Sequence, residues 1–571
     1  MFKLVRFLKG YKLQLILGPI FKQIEALFEL IVPLIMALII DVGVKNRDAG
    51  YVLKMGGILI LLGATGLISA LTCQYFASVA SQGTGTVLRN ELFKHINTFS
   101  HAEIDKFGTA PLIVRLTNDV NQIQLAVAML IRLAIRAPLL VIGAIIMTVN
   151  IDAELALIIL AVTPFIAGVI YVIITRLTPF YKLIQRKLEN IAVTTRETLS
   201  GARVVRAFSR QEREETRFKE TVNDFADTSV RVSKLSALLN PVTSVIMNLG
   251  ITAVIWFGGL RVYAGNLTQG KLIAFINYMT QILIAMLVAA DLTLIFTKAS
   301  ASASRINELF EIKSSVYDSR DIKEIDFSNK TAVEFINVSF AYNKNSVLNG
   351  INLKINDGEK VGIIGGTGTG KSTLIYLIPR LYDVTRGNIK IYGTDVKEVP
   401  LEQLRKIVRL VPQQTKILTG TISDNLKWGD EKAGDNEILK ALSIAQAARF
   451  VMEKPDGINA LVTQDGKNLS GGQKQRLAIA RALIGSPKIL ILDDSFSALD
   501  AATDYMLRQE LKSECGGMTI ITVSQRAGTI KYSDKIIVME NGEIAGTGTH
   551  DELYANCGVY REICESQSVG R

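Results

Sequence analysis

Apolar stretches long enough to cross a lipid bilayer recur through the first half of this 571-residue chain. The hydrocarbon core of a bilayer requires about 20 mostly apolar residues per helix. Six segments meet this requirement, and we predict six spanning helices at residues 13–40, 53–78, 123–149, 155–177, 239–263 and 272–297. The N-terminal half is therefore predicted to be an α-helical domain embedded in a lipid bilayer.

Charged residues beside these spans predict the topology. Arg and Lys cluster before the first span and between the fourth and fifth, which by the positive-inside rule places those regions in the cytoplasm. The net charge of +11 is thus explained without nucleic acid, and we predict no nucleic-acid partner. Short loops then face outward, and the long polar segments 79–122 and 178–238 extend the helices inward. We expect a multi-pass protein of the cell's inner (plasma) membrane.

Each long inner segment contains a break at which a helix can turn back. Ser100 and Glu103 form a capping-box pattern that starts a short helix, and residues 107–111, FGTAP, interrupt it. In the second segment, Ser200-Gly201 precedes an apolar-basic run at residues 202–208. These are either amphipathic surface helices, which the residues alone favour, or helices that dock on another surface.

Charged residues inside the predicted spans are costly and are treated first as functional candidates. The candidates are Glu25, Glu29, Arg132, Arg136 and Asp291, together with Asp41 at the outer end of the first span. Arg132 and Arg136 share a helix face, as do Glu25 and Glu29. Two interpretations remain open for these residues: they pair or reach the interface, or they line a transport cavity. For Asp41 we favour an ordinary helix-end carboxylate over a cation gate.

A glycine-rich loop between a predicted strand (361–364) and a helix gives the strongest chemical signal in the second half. Its backbone N–H groups can surround the phosphates of ATP, Lys371 adds a positive charge, and Ser372 offers a hydroxyl to Mg²⁺. The predicted ATP-binding residues of the loop are Gly365, Gly366, Thr367, Gly368, Thr369, Gly370, Lys371, Ser372 and Thr373.

A second short apolar strand, at residues 489–492, ends in two carboxylates. In P-loop ATPases the first of these, here Asp493, holds Mg²⁺, usually through water, and the next position, here Asp494, can carry the residue that polarises the attacking water. We therefore predict three parts: a membrane domain with long intracellular helix extensions (1–310), a polar linker (311–330) and an α/β P-loop ATPase cassette (331–571).

The cassette resembles that of ATP-binding cassette (ABC) transporters. The resemblance rests on the glycine loop, the carboxylate strand, the signature sequence LSGGQ at residues 469–473 and the turn SALD at residues 497–500. The first half is similar to the exporter branch, since residues 107–120 and 201–208 resemble its two coupling segments. This likeness favours docking for both inner helices.

The resemblance also implies roles for residues outside the two strands. Tyr342 would stack on adenine, and Gln413 would contact Mg²⁺ together with Ser372 and Asp493. Each ATP in this family lies between the glycine loop of one cassette and the signature of another. The residues implied to bind ATP across such an interface are Ser470, Gly471, Gly472, Gln473 and Asp500.

Two positions depart from the exporter pattern. Asp494 stands where exporters usually have Glu, and Gln525 stands where they usually have His. Asp is one methylene shorter than Glu, and a misplacement of about 1 Å can cost about a hundredfold in rate. Gln donates hydrogen bonds but cannot become a cation. With Gln413, these are the predicted catalytic residues of a site that binds ATP and hydrolyses it poorly.

One cassette cannot close such a site, so the resemblance implies a second half-transporter chain. We favour a heterodimer in which the signature of this chain completes a competent site on its partner. ATP and Mg²⁺ would drive alternating access for a small amphipathic, drug-like substrate. The alternatives are a homodimeric lipid or peptide exporter and a nucleotide-gated channel or regulatory membrane protein.

Overall fold

The computed structural model describes residues 2–318, 323–343 and 345–568, which fall into two compact units. The first unit comprises Met1–Asn97 and Thr109–Ile312, and the second comprises Thr98–Gly108 and Lys313–Arg571. The predicted linker at 311–330 lies partly outside the described residues, at 319–322.

Helices make up the chain as far as residue 311. They are α1 (Leu4–Val44), α2 (Ala49–Ile96), α3 (His101–Phe107), α4 (Thr109–Ile151), α5 (Ala153–Ser200), α6 (Ala202–Ala207), α7 (Gln211–Tyr263) and α8 (Gln269–Glu311). Among the described residues, α1, α2, α4, α5, α7 and α8 are long and apolar enough to cross a membrane. The prediction of six spans is thereby confirmed.

The long helices reach well beyond the thickness of a bilayer. α2 and α5 each contain 48 residues. At about 1.5 Å per residue, each helix is more than twice as long as the hydrocarbon core is thick, which is about 30 Å. The predicted breaks are also present. Ser100 and Glu103 form the capping box of α3, Gly108 ends that helix with a φ of +75°, and α6 begins after Gly201.

Inside the first unit, several polar groups of the spans are paired, either across helices or within one helix. Arg136 of α4 donates to Glu29 of α1 at 2.6 Å, while Glu25 pairs with Lys22 at 2.7 Å. The carboxylate of Asp41, near the end of α1, accepts hydrogen bonds from the Gly270 N–H and the Thr268 hydroxyl at the start of α8. Glu25, Glu29 and Arg136 thus follow the pairing interpretation, and Asp41 is a helix-end carboxylate.

The second unit is an α/β domain with three sheets. Its strands are β1 (Thr331–Tyr342), β2 (Asn345–Asn356), β3 (Lys360–Gly365), β4 (Arg386–Ile391), β5 (Thr394–Asp395), β6 (Val408–Val411), β7 (Gly420–Thr421), β8 (Leu461–Val462), β9 (Ile489–Asp493), β10 (Thr519–Val523), β11 (Lys535–Glu540) and β12 (Glu543–Gly548). Its helices after α3 are α9 (Lys371–Leu377), α10 (Leu401–Ile407), α11 (Ile422–Leu426), α12 (Asp435–Ile444), α13 (Ala448–Met452), α14 (Gly471–Leu483), α15 (Ala501–Glu514), α16 (Ala527–Ile530), α17 (His550–Asn556) and α18 (Gly558–Ser568).

The sheet order explains where the site forms. The main sheet has the order β12-β11-β3-β10-β9-β6, in which β3, β10 and β9 are adjacent and parallel. The carboxyl ends of parallel strands lie at one edge of a sheet, and crevices outside that edge bind ligands in open α/β folds. The segments that follow these three strands therefore meet. The antiparallel sheet β2-β1-β4-β5 packs in the same domain.

The short helix α3 belongs to the second unit, although its neighbours in sequence belong to the first. Tyr382 donates a hydrogen bond to the Asp105 carboxylate, and its ring centroid lies 6.0 Å from that of His101. The Ser100 and Ser315 hydroxyls are 2.8 Å apart. Burial lowers the pKa of His101, so this histidine stays neutral at pH 7 in its contact with Tyr382.

Candidate functional site

A cleft of about 300 Å³ lies at the carboxyl edge of β3, β10 and β9. It is lined by Val347, Thr367, Gly368, Gly370, Lys371, Ser372, Thr373, Gln413, Asp493, Asp494, Val523, Ser524 and Gln525. Most of the residues predicted for phosphate binding, Mg²⁺ binding and catalysis therefore meet here. Their segments come from positions more than 150 residues apart in sequence, which the parallel strands bring to one edge.

The glycine loop between β3 and α9 has a conformation that requires glycine. Gly368 and Gly370 have φ values of +83° and +94°, a region that other residues enter only at a cost. A Cβ on Gly365 would lie 2.2 Å from the carbonyl oxygen of Met539. The backbone is thus held close to its neighbours and curled at the N-terminus of α9, where N–H groups favour an anion.

Lys371 folds back over the loop and is only 7 % exposed. Its ammonium donates to the carbonyl oxygens of Gly365 at 3.0 Å and Gly366 at 2.5 Å. Burial lowers the pKa of Lys371, and the charges of Asp493 and Asp494 oppose that shift. The ammonium is thus held by neutral acceptors, which phosphate oxygens can replace with a stronger, charge-assisted bond.

Asp493 is the most buried carboxylate of the cleft, with 1 % of its surface exposed. It accepts hydrogen bonds from the Ser372 hydroxyl at 3.2 Å and from the Tyr376 hydroxyl at 3.1 Å. Burial is the main cause of its raised pKa, and both hydrogen bonds act in the opposite direction. Two donors therefore favour the ionised form, which is the one that binds a cation.

The oxygen atoms around Asp493 fit Mg²⁺. This ion takes hard oxygen ligands and is commonly held by one or two carboxylates together with substrate phosphates. The Ser372 hydroxyl and the Asp493 carboxylate are already neighbours, and Gln413 lines the same cleft. Among the described residues no group of three or more His, Cys, Asp or Glu could hold a metal. Mg²⁺ would thus depend on the bound nucleotide for its remaining ligands.

Asp494 has an unusual backbone conformation, with a φ of +46°. Its N–H donates to the Val523 carbonyl at 3.0 Å, and its own carbonyl accepts from the Ser497 hydroxyl at 2.8 Å. Its side chain accepts from Gln413 Nε2 at 3.3 Å. Asp adopts the left-handed region more readily than most residues, so the backbone and the side chain of Asp494 are both held at the cleft.

Two predicted residues lie at the border of the cleft. Gln525 follows β10 and is exposed, with its backbone carbonyl accepting from Gln567 Nε2 at 2.7 Å. Tyr342, at the end of β1, packs edge-on against Phe340 and Tyr382 at centroid distances of 4.8 and 5.4 Å. Its hydroxyl is 3.5 Å from that of Thr373, which lines the cleft.

The signature residues are placed apart from the cleft. Ser470 caps α14, and Ser470 and Gln473 form a reciprocal capping box. Ser470 and Gly471 are exposed, and a Cβ on Gly471 would meet no atom within 4 Å. Asp500 is exposed too and caps α15 by accepting from the Thr503 N–H at 2.9 Å. Gly472 and Gln473 also lie outside the residues that line the cleft.

Tyr376 is a residue of the site that the sequence analysis did not identify. It lies one turn after Ser372 in α9, and an i, i+4 spacing places both side chains on one helix face. Burial and the neighbouring Asp493 raise the pKa of Tyr376, so its hydroxyl keeps its proton and donates. The helical spacing was the available signal, but an aromatic residue in an apolar helix is more often part of a core.

Comparisons with known proteins agree with this arrangement. Residues 15–286 match the family "ABC transporter transmembrane region", and residues 348–497 match the family "ABC transporter". An uncharacterized ABC transporter ATP-binding protein of Mycobacterium tuberculosis is 38 % identical over 96 % of this chain and 94 % of its own.

Other relatives carry functional names. An ATP-dependent lipid A-core flippase of Chromobacterium violaceum is 30 % identical over 98 % of this chain and 96 % of its own. A putative multidrug export ATP-binding/permease protein of Bacillus subtilis is 31 % identical over 99 % of both chains. The solved structure of a bacterial Atm1-family ABC exporter with ATP bound, 24 % identical, matches with a TM-score of 0.79 over 99 % of this chain and 98 % of its own. The last comparison shows the fold.

Replacing Tyr376 with Phe should weaken the Mg²⁺-dependent part of ATP binding. The substitution removes one hydrogen bond to Asp493, and loss of an outer partner of a metal ligand typically costs about tenfold or more in metal affinity. We expect the Mg²⁺-induced gain in ATP affinity, measured by calorimetry on the full chain, to fall about tenfold, with Mg²⁺-free binding unchanged. Tyr392→Phe, which removes a hydrogen bond to Asp357, is the control. If Mg²⁺ raised the ATP affinity of Tyr376→Phe as much as that of the wild type, the role of Tyr376 would be contradicted.

Proposed function

Since the chain belongs to the ABC transporter family, we propose that it is one subunit of a heterodimeric exporter with one competent and one impaired ATP site. The chain is an ABC exporter half-transporter. It is a multi-pass membrane protein with its cassette in the cytoplasm, and the family's ATPase domain couples ATP hydrolysis to transport. The number of chains, the division between the two sites and the substrate are the parts proposed here.

The separation of the signature from the cleft supports the part of this proposal that requires a second cassette. Ser470 and Gly471 are exposed, whereas Lys371 and Ser372 line the cleft. In ABC transporters a nucleotide is sandwiched between both kinds of motif, so each must come from a different cassette. The cleft of this chain then receives the signature of the partner, and Ser470, Gly471, Gly472 and Gln473 complete the cleft of the partner. Asp500 lies at the same interface.

The chemistry of the cleft supports nucleotide retention more than hydrolysis. Lys371 and the glycine loop bind the phosphates, Ser372, Asp493 and Gln413 hold Mg²⁺, and Tyr342 stacks on adenine. The two residues expected to drive hydrolysis are weak replacements. Asp494 has a shorter side chain than Glu, and Gln525 remains neutral. Two identical chains would give two impaired sites, so we favour a partner that carries Glu and His at these positions.

The two cytoplasmic helices transmit nucleotide binding to the membrane domain. α3 packs against Tyr382 and Ser315 in its own cassette unit. In α6 and directly after it, Val204 and Phe208 are 61 % and 73 % exposed. Exposed apolar side chains of this size favour a protein contact over water, and we assign α6 to docking on the cassette of the partner. Closure of the cassettes would then act on both chains of the membrane domain.

The substrate is proposed to be a small amphipathic compound. Among the relatives, the name of the putative multidrug exporter supports a drug-like compound, whereas the name of the lipid A-core flippase fits the alternative of a lipid. Of the acidic residues in the spans, Glu25 and Glu29 are paired with cations within the chain, whereas Asp291 is exposed. Asp291 is thus the acid that best fits a contact with a cationic substrate or with the partner chain.

Transport against a gradient distinguishes this function from a nucleotide-gated channel. In inverted membrane vesicles that contain both chains, ATP should drive accumulation of an amphipathic dye to a concentration above that outside. Lys371→Ala in this chain should reduce the accumulation, because the loop then loses its positive charge. Equilibration without accumulation would favour the channel, and full transport by this chain alone would favour the homodimer.

Introducing the residues that exporters usually have at positions 494 and 525 should activate the impaired site. We expect Asp494→Glu with Gln525→His to raise ATP turnover of the heterodimer at saturating ATP, by about tenfold or more at this site if placement of the base is limiting. The control is Asp465→Glu, which makes the same exchange at another left-handed residue (φ +56°) and should leave turnover unchanged. Equal turnover of the double variant and the wild type would count against an impaired site.

Removing the Ser470 hydroxyl should slow hydrolysis at the site of the partner. Loss of one hydrogen-bond donor to a transition state costs about 10²–10³ in rate, so we expect Ser470→Ala to lower turnover of the heterodimer at least tenfold. Thr549→Ala removes an equivalent capping box, that of α17, and controls for the loss of a helix cap. Undiminished hydrolysis by Ser470→Ala would defeat the assignment of the signature to the competent site.

A further inference from the structure

A side chain of the C-terminal helix holds the segment that carries Gln525. Gln567 of α18 donates through Nε2 to the carbonyl of Gln525 at 2.7 Å and accepts through Oε1 from the N–H of Ala527 at 2.8 Å. One amide thus binds two backbone groups that flank a single residue. Both distances are short for N–H···O bonds. The first bond holds the peptide group that follows Gln525, and the second holds the next peptide group.

The residues on either side of Gln525 are held by other hydrogen bonds. The Ser524 N–H donates to the Ile363 carbonyl of β3 at 3.0 Å, and the Arg526 N–H donates to the Ser524 hydroxyl at 3.0 Å. After Arg526 the chain enters α16, which has four residues. Gln525 thus lies between a strand and a very short helix, and Gln567 supplies the bonds on its far side.

The helix that carries Gln567 is itself firmly anchored. Tyr560 is fully buried and Cys564 is 8 % exposed, and both belong to a cluster with Ile364, Ala527 and Ile530. The Tyr560 hydroxyl is 2.9 Å from Nδ1 of His550 in α17. Gln567 follows Cys564 by three residues, within one helical turn. Its amide is therefore mounted on a helix that packs beneath both the glycine-loop strand and α16.

We propose that Gln567 is a positioning residue for Gln525, through which the C-terminal helix sets the contact of Gln525 with the γ-phosphate of bound ATP. This inference rests on the proposed function, which assigns Gln525 to the nucleotide cleft. Gln525 has no charge, so it can act on a phosphate only through a directed hydrogen bond, whose strength falls steeply with misalignment. ADP lacks the γ-phosphate, so its affinity should not depend on how Gln525 is positioned.

A purely structural role would give a different result. If Gln567 only attached α18 to the domain, its loss would lower thermal stability and weaken ATP and ADP equally. If it positions Gln525, its loss should change the ratio of the two affinities and leave the domain folded. The residue is exposed, so its replacement creates no cavity in the core.

The test compares Gln567→Met and Gln567→Glu with the wild-type full chain in lipid nanodiscs. Met keeps the length of the side chain and removes both hydrogen bonds, whereas Glu accepts from Ala527 but cannot donate to Gln525. Affinities for ATP and ADP are measured by calorimetry, and unfolding is followed without nucleotide. Ser566→Ala, which removes a local bond to Ile563, is the matched control.

We expect Gln567→Met to weaken ATP binding about 3- to 10-fold, in keeping with the loss of one aligned hydrogen bond from Gln525 to the γ-phosphate, while ADP affinity stays unchanged and the domain remains folded. Gln567→Glu should have an intermediate effect, and Ser566→Ala none. In a Gln525→Ala background, Gln567→Met should cause no further loss, because interacting residues give non-additive effects.

Two results would overturn the proposal. These are an unchanged ATP-to-ADP affinity ratio in Gln567→Met, which includes an equal loss for both nucleotides, and additive losses with Gln525→Ala. If Gln567→Met fails to fold, Gln567→Glu carries the same comparison. Failure of the proposed role of Gln525 is distinguishable, because Gln525→Ala alone would then leave the ATP-to-ADP affinity ratio unchanged.

Discussion

The nucleotide cleft depends on the register of three neighbouring parallel strands. β10 pairs with β3 on one side and β9 on the other, so that Val523 lies level with both Ile363 and Asp493. A shift of one residue in any strand would turn its terminal side chain to the opposite face. The glycine loop, Asp494 and Gln525 meet because these hydrogen bonds hold the three strand ends level. Side-chain chemistry at the cleft acts on a geometry that the sheet has already set.

Charged side chains that leave water need a compensating partner in both units, and the two units supply that partner in different ways. In the membrane domain, the half-buried side chains of Glu29 and Arg136 are paired across two helices, because an unpaired ion in a low-dielectric environment costs several kcal/mol. In the cassette, the buried ammonium of Lys371 rests on the carbonyls of Gly365 and Gly366. Those carbonyls are neutral acceptors, so an arriving phosphate competes well for the ammonium. The Glu29–Arg136 ion pair stabilises one arrangement of its two helices, whereas Lys371 can exchange its carbonyl partners for phosphate oxygens.

The sequence predicted local features well because they depend on neighbouring residues. The six spans follow from apolar length, and the start of α3 follows from the capping box of Ser100. Bonds between distant residues were not predictable in the same way. Glu25 and Glu29 share a face of α1, yet one pairs with a lysine three residues away and the other with Arg136 of α4. Gln567 and Gln525 are 42 residues apart, and only the packing of α18 brings them together.

The backbone conformation at position 494 suits the Asp that occupies it. At a φ of +46° the residue is in the left-handed region, where Asp is found several-fold more often than most residues. The Val523 carbonyl and the Ser497 hydroxyl hold its peptide groups in place. The backbone conformation therefore costs less with Asp than it would with a longer side chain. In the proposed impaired site, the shorter side chain of Asp494 would thus be combined with a more stable turn. A site proposed to keep ATP between the cassettes would benefit from such rigidity, whereas rapid hydrolysis is expected to favour the longer side chain of Glu.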